Sequence, residues 1–141
     1  MNYQSIRTIF ESQLATAYGA LSPAIPIFFD NYSNAMADSV DEFVNVNVQF
    51  GDTTQSSLTK SFDQVRGIVV VRAFSEKGKG PARNQTLIDT AFSTIETINN
   101  TGQPTSGVYV RTGVVVGPTF QEDRPYFISR IETNFQATVI S

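Results

Sequence analysis

Apolar and polar positions along the chain follow two periods, and the switches between them mark out seven elements. From about Asn2 to Leu21, Ile6, Ile9, Phe10, Leu14, Ala17 and Leu21 lie along one side of a helix, with Arg7, Glu11 and Gln13 away from it. Gly19 weakens the last turn and Ser22-Pro23 stops it, because a residue before proline avoids helical backbone. Ile25-Pro26-Ile27-Phe28-Phe29 is apolar, but its proline cannot donate to a ladder, which predicts an edge strand. Residues Asp30 to Asp41 carry no apolar period and read as surface loop.

Glu42 to Phe50 alternates. Val44, Val46, Val48 and Phe50 face one way while Asn45, Asn47 and Gln49 face the other, giving a half-buried strand with one wet or contact-making side. Gly51 to Ser57 reads as a polar turn. A central strand begins near Ser61, and its Gly67-Ile68-Val69-Val70-Val71-Arg72-Ala73-Phe74 run is dense enough in β-branched residues to expect much of both faces covered. Lys77-Gly78-Lys79-Gly80-Pro81 then breaks the extended chain, and proline supplies a φ suited to a first helical turn.

From Leu87 the period changes to that of a helix with one buried stripe: Leu87, Ile88, Ala91, Phe92, Ile95 and Ile98. Phe92 is thereby an expected core residue whose loss, Phe92→Ala, would cost about 3–5 kcal/mol. Asn99 to Pro104 reads as a stop and turn. Gly107 to Val116 forms a strand with Val108, Val110, Val114 and Val116 on one face, ended by Gly117-Pro118. Thr119 to Pro125 follows as an acidic loop with Glu122 and Asp123. The last strand, Tyr126 to Ile140, sets Phe127, Ile131, Phe135, Ala137 and Val139 against Arg130, Glu132, Asn134 and Gln136. The order α-β-β-β-α-β-β predicts an α+β fold: a mostly antiparallel sheet of about five strands with two helices on its apolar face, residues 1–141 forming one domain.

Composition narrows the chemistry. Only 16% of residues are charged, the net charge is -3 and the sequence pI is about 4.8, so no global field favours nucleic acid. The 141 residues include no cysteine and no histidine, which removes disulfides, thiolate chemistry and the commonest general base and metal ligand. Met1-Asn2-Tyr3-Gln4-Ser5 does not open a signal peptide and no apolar run is long enough to span a membrane, so a soluble protein made and used inside a cell is expected.

Three features could carry function. Lys77, Lys79 and Arg83 surround a glycine-bearing turn ahead of a helix N-terminus, an arrangement that suits anions. The Walker spacing is missing and Pro81 removes one amide donor, so a solvated connection or a contact loop toward a protein neighbour or passing nucleic acid outranks a nucleotide site. Asp38 with Asp41-Glu42, and Glu122-Asp123, are two acidic clusters without calcium-loop spacing, and solvation is their default. No serine has a histidine partner, which excludes a hydrolase triad and leaves an enzyme using the loop carboxylates with little support. Asn31-Tyr32-Ser33, Asn84-Gln85-Thr86 and Asn99-Asn100-Thr101 match the glycosylation pattern by chance. The polar strand faces, Asn45, Asn47 and Gln49 with Arg130, Glu132, Asn134 and Gln136, fit either plain solvent exposure or a hydrogen-bonded subunit interface.

The run of elements resembles a known family, the tail terminator (tail completion) proteins of long-tailed bacteriophages. The features that carry it are the N-terminal amphipathic helix ending near Leu21, the proline-containing Ile25–Asn31 segment and the valine-rich Glu42–Phe50 strand. Arg66-Gly67-Ile68-Val69-Val70-Val71 then leads through Gly78 and Gly80 into the helix Thr86–Ile98, with the closing strands Gly107–Val116 and Tyr126–Val139 after it. The resemblance implies a homo-hexameric ring in the virion neck, assembled in the host cytoplasm. Such a ring caps the tail tube protein, ends tube polymerisation and offers a docking surface to the head connector or stopper protein. Genomic DNA passes transiently and without sequence specificity through its bore. It implies no enzyme, no cofactor, no metal and no membrane. Contacts would then fall on the polar strand faces and on the loops Asp30–Asp41, Lys77–Arg83 and Thr119–Pro125. The alternatives are another head–tail junction protein, such as a stopper, or a small-ligand or nucleotide-phosphate binding domain using Lys77–Arg83.

Overall fold

The computed structural model describes residues 3–21, 25, 27–29, 42–55, 62–76, 82–101, 108–123 and 126–140. The elements are α1 (Tyr3–Gly19), β1 (Ile27–Phe28), β2 (Phe43–Gln55), β3 (Phe62–Glu76), α2 (Ala82–Thr101), β4 (Val108–Asp123) and β5 (Tyr126–Ile140). The five strands form one sheet in the order β1-β2-β3-β5-β4, antiparallel except for β1, which lies parallel to β2 at the edge. This is the α+β architecture that the periodicity predicts, with the valine-rich β3 at the centre.

β3 and β5 pair without a register break from Phe62↔Ile140 to Glu76↔Tyr126. Side chains alternate between faces with a period of two, so the pairing sorts both strands at once. Val65, Val69, Val71 and Ala73 meet Ile131, Phe135, Ala137 and Val139 beneath the helices, joined by Val44, Val46 and Val48 of β2 and Val108 and Val110 of β4. Helix α1 adds Ile6, Ile9, Phe10 and Leu14, and α2 adds Leu87, Ala91, Ile95 and Ile98. Phe10 lies 5.0 Å from the Phe135 ring, which passes over Gly67. A Cβ at Gly67 would stand 2.6 Å from that ring and 2.3 Å from the Gln49 carbonyl, so glycine there is a packing requirement.

Two buried polar links fasten the helices. The Tyr18 hydroxyl donates to the Leu87 carbonyl at 2.6 Å and joins α1 to α2. Asn84, in the first turns of α2, is wholly buried. Its amide nitrogen lies 3.0 Å from the Ala73 carbonyl, 3.0 Å from Ser75 Oγ and 2.9 Å from the Phe127 carbonyl, while its Oδ1 accepts from Ser129 Oγ. One side chain thus binds α2 to both central strands. Its burial also places the Asn84 glycosylation pattern out of reach of modification.

Several expectations need correction. Phe92 is 42% exposed, because Leu87, Ile88, Ala91, Thr94, Ile95 and Ile98 already fill the arc of α2 that faces the sheet. The Gly51–Gln55 segment is strand rather than turn, carried past a one-residue bulge between Phe50 and Thr53. β4 does not end at Gly117-Pro118, a cis peptide, but continues to Asp123. Glu122 and Asp123 therefore pair with Phe127 and Tyr126 in a ladder and are not loop residues. Register shifts at Thr112/Val115 and Val116/Thr119 reverse the alternation, so Val115 packs against the core while Val114 and Val116 are 82% and 57% exposed. Gly117 takes a φ of 111°, and a Cβ there would come within 2.7 Å of the Arg130 carbonyl. The second helix starts at Ala82 and runs through Asn99 to Thr101.

Urea unfolding checks this packing. Phe92→Ala should move stability by less than about 1 kcal/mol, whereas Ile95→Ala should cost about 2–5 kcal/mol. Asn84→Ala should cost about 2–3 kcal/mol by stranding buried acceptors. A second check is alkaline. Burial pushes the Tyr18 phenol well above the ordinary tyrosine range. The native state keeps a proton that the unfolded chain releases near pH ~10, so this stabilisation is complete below that pH and is lost as pH rises further. Melting temperature should fall above about pH 10, and Tyr18→Phe should flatten that fall while losing about 1 kcal/mol at neutral pH.

Candidate functional site

Both helices cover one face of the sheet. On the other face, the polar residues singled out in β2 and β5 come together with residues of β3 that lie between them. In register, Asn45 neighbours Arg72 and Arg72 neighbours Arg130. Asn47, Val70 and Glu132 form the next row, followed by Gln49, Ile68 and Asn134. Five of the predicted interface residues (Asn45, Asn47, Gln49, Arg130 and Glu132) thus share one surface. Gln49 is exposed and the other four are half-buried.

At one end of this face sits a small apolar group. Phe43 stacks on Phe74 with ring centroids 4.3 Å apart, and Phe28 meets Phe43 edge-on at 5.6 Å. Phe43 and Ile128 are buried although they lie outside the main core, and so is Val70. The expectation that β3 is covered on both faces therefore holds at Val70 but not at its arginines.

The charges are uneven. Arg72 and Arg130 stand directly opposite each other, an unfavourable placement for like charges. Arg130 is held by Glu132 at 3.1 Å, yet its Nε is buried without a partner among the described residues. Burial and then the Arg130 charge lower the pKa of the Arg72 guanidinium, while Glu132 acts in the other direction. One row system further along, Arg66 of β3, Gln136 of β5 and Arg111 of β4 follow one another across adjacent strands. Arg66, Arg111, Asn134, Gln136 and the backbone at Gly67 and Gly113 line an open groove of about 460 Å³.

Arg66, Arg72 and Arg111 were not among the residues that the sequence singles out. The signal was present in β3, where Arg66 and Arg72 share the parity of Ile68 and Val70, but the density of apolar residues hid the alternation. The other predicted site residues fall elsewhere. Lys77 and Lys79 lie outside the described residues, as do Asp38 and Asp41. Arg83 occupies the second position of α2, and Glu122 and Asp123 close the β4–β5 ladder away from the groove. Among the described residues no three carboxylates gather as metal ligands, and no helix is long and apolar enough to cross a membrane.

The sheet margins carry their own side-chain contacts. Asn99, near the end of α2, accepts from the Thr112 amide at 3.2 Å and its amide reaches the Thr112 carbonyl at 3.5 Å. Arg7 of α1 donates to the Val48 carbonyl at 3.1 Å and lies 5.5 Å over the Phe50 ring.

No family model and no curated protein matches this sequence. Among 37 matching chains of solved structures, one that bears no functional name is 16% identical, with a TM-score of 0.65 over 94% of this chain and 92% of that one. At this identity the likeness concerns the fold.

Electrostatics of the open face can be measured directly. Glu132→Gln should lower stability by about 0.5–1 kcal/mol at low salt, because it leaves Arg72 and Arg130 opposed, and the loss should shrink at about 0.5 M salt. The effect is held to that size by the exposure of the Arg130 and Glu132 side chains, 40% and 35%.

Proposed function

We infer that the chain is a ring-forming structural protein of a bacteriophage neck, of the tail terminator kind. It caps the tail tube, stops its growth and presents a docking surface to the head connector or stopper. The observation that carries the reading is the one-sided sheet. Among the described residues, a face bearing Arg66, Arg72, Arg111, Arg130, Asn45 and Asn47 carries no helix, opposite a face on which two helices pack. A subunit of a closed ring needs two unlike surfaces that join by rotation, and opposite faces of this kind supply them. The order of elements supports the same reading through its resemblance to that family. The absence of histidine and cysteine fits a part played by shape and contact rather than by catalysis.

In this role the protein is a homo-hexamer with a bore through which DNA passes, and the Lys77–Arg83 segment is a contact loop rather than a nucleotide site. Light scattering and negative-stain microscopy, on the protein alone and with tail tube protein, test the reading. Rings that cap tube ends are expected. A chain that stays monomeric in both conditions removes it.

A further inference from the structure

The exposed side of α2 carries an aromatic ring that the core does not use. Gln85, Asp89, Phe92, Ser93, Glu96 and Asn99 are all exposed and share an arc of about a third of the helix surface at 3.6 residues per turn. Asp89 and Glu96 are seven residues apart, about 10.5 Å along the axis. Phe92 stands between them, 42% exposed. Two carboxylates therefore bracket one apolar anchor.

The groove on the far side of the molecule presents the complementary arrangement. Arg66 and Arg111 flank Gln136 across three neighbouring strands, which sets their stems about 9.5 Å apart. Both arginines are exposed, and among the described residues neither guanidinium is engaged by a hydrogen bond or ion pair. Gly113 contributes no side chain to the surface between them, where the open volume is about 460 Å³.

We propose that the Asp89–Phe92–Glu96 face of α2 in one copy of this chain seats in the Arg66–Arg111 groove of the next copy. The two surfaces lie on opposite sides of the molecule, so the contact is head-to-tail and each copy keeps one surface of each kind free for a further neighbour. Each guanidinium receives one carboxylate through paired N–H donors, and Phe92 fills the space between them as the apolar centre of the contact. A second copy is favoured over nucleic acid by the matched spacing of acids and bases and by the chain's net charge of -3. The proposal rests on the ring-forming reading and names the two surfaces that would join.

Because the chain has no cysteine, an engineered pair reports the contact without background. Wild-type association is first measured by light scattering, alone and with tail tube protein. Phe92→Cys and Gln136→Cys chains are then mixed under the associating condition and oxidised. The mixture should give a cross-linked dimer that neither variant gives alone. In parallel, the double variants Arg66→Glu/Arg111→Glu and Asp89→Arg/Glu96→Arg should each associate about tenfold or more weakly. Mixing the two should restore pairing between them. If a charge-reversed variant fails to fold by circular dichroism, the cysteine pair, which changes no charge, carries the test. Cross-linking of Gln136→Cys with itself, or charge reversals that leave association intact, overturns this contact while the ring reading stands. Wild-type protein that remains monomeric in both conditions overturns both. Capture of a short DNA duplex that is lost in Arg66→Glu/Arg111→Glu, with self-association unchanged, would assign the groove to phosphates instead.

Discussion

The unbroken β3–β5 ladder is the constraint from which the other surfaces follow. Its register runs from Phe62↔Ile140 to Glu76↔Tyr126, and a slip of one residue would exchange the two faces of one strand relative to the other. With β3 turned over, Val69 and Val71 would leave the core and Arg66 and Arg72 would be driven under the helices; with β5 turned over, Ile131 and Phe135 would leave it and Arg130 and Glu132 would enter. Burying unpaired guanidinium groups in that way is far costlier than losing apolar contact alone. The valines inside and the arginines outside therefore specify the same register for two independent reasons. The groove is a by-product of that register, since it is what places Gln136 between Arg66 and Arg111.

The Asn84 cluster converts this register into a position for α2. Its acceptors come from Ala73 and Phe127 on the two central strands, so the helix can settle in only one place along them. Tyr18 then fixes α1 against α2 through Leu87. Buried polar groups of this sort contribute less net energy than their number suggests, yet a misplaced helix would leave each of them unsatisfied. That penalty adds to the apolar packing in fixing the place of the helical layer. It also decides which residues of α2 look outward, including Phe92.

Much of the fold was legible because the chain keeps to simple periods where one face is buried. The alternations Val44–Val46–Val48 and Ile131–Phe135–Ala137–Val139 gave the correct faces, and the proline at position 26 correctly pointed to an edge strand. Phe92 was misassigned because it is one step of the helical wheel beyond Ile88, and hydrophobicity alone cannot locate the margin of a buried arc. Asn84 was missed for the converse reason: it lies in the middle of that arc, and its polarity disguises it. In β4 a strict period of two failed at Gly113-Val114, where an inserted residue turns the pattern over without any change in composition. The polar half of the open face was readable in β2 and β5. Its arginine half was not, because Arg66 and Arg111 become neighbours only through pairing between strands distant in sequence.

The irregularities of β4 have a meaning for growth. An outermost strand of sixteen residues would ordinarily be an invitation for another chain to zip alongside it, and two exposed valines sharpen that hazard. Here the strand is interrupted twice within seven residues, between Thr112 and Thr119, and the Asn99 side chain occupies the hydrogen-bonding groups of Thr112. No long run of evenly spaced backbone groups is left to template a fibre. An edge broken in this way resists the strand-by-strand addition of further chains. The bulges read best as a safeguard against open-ended polymerisation.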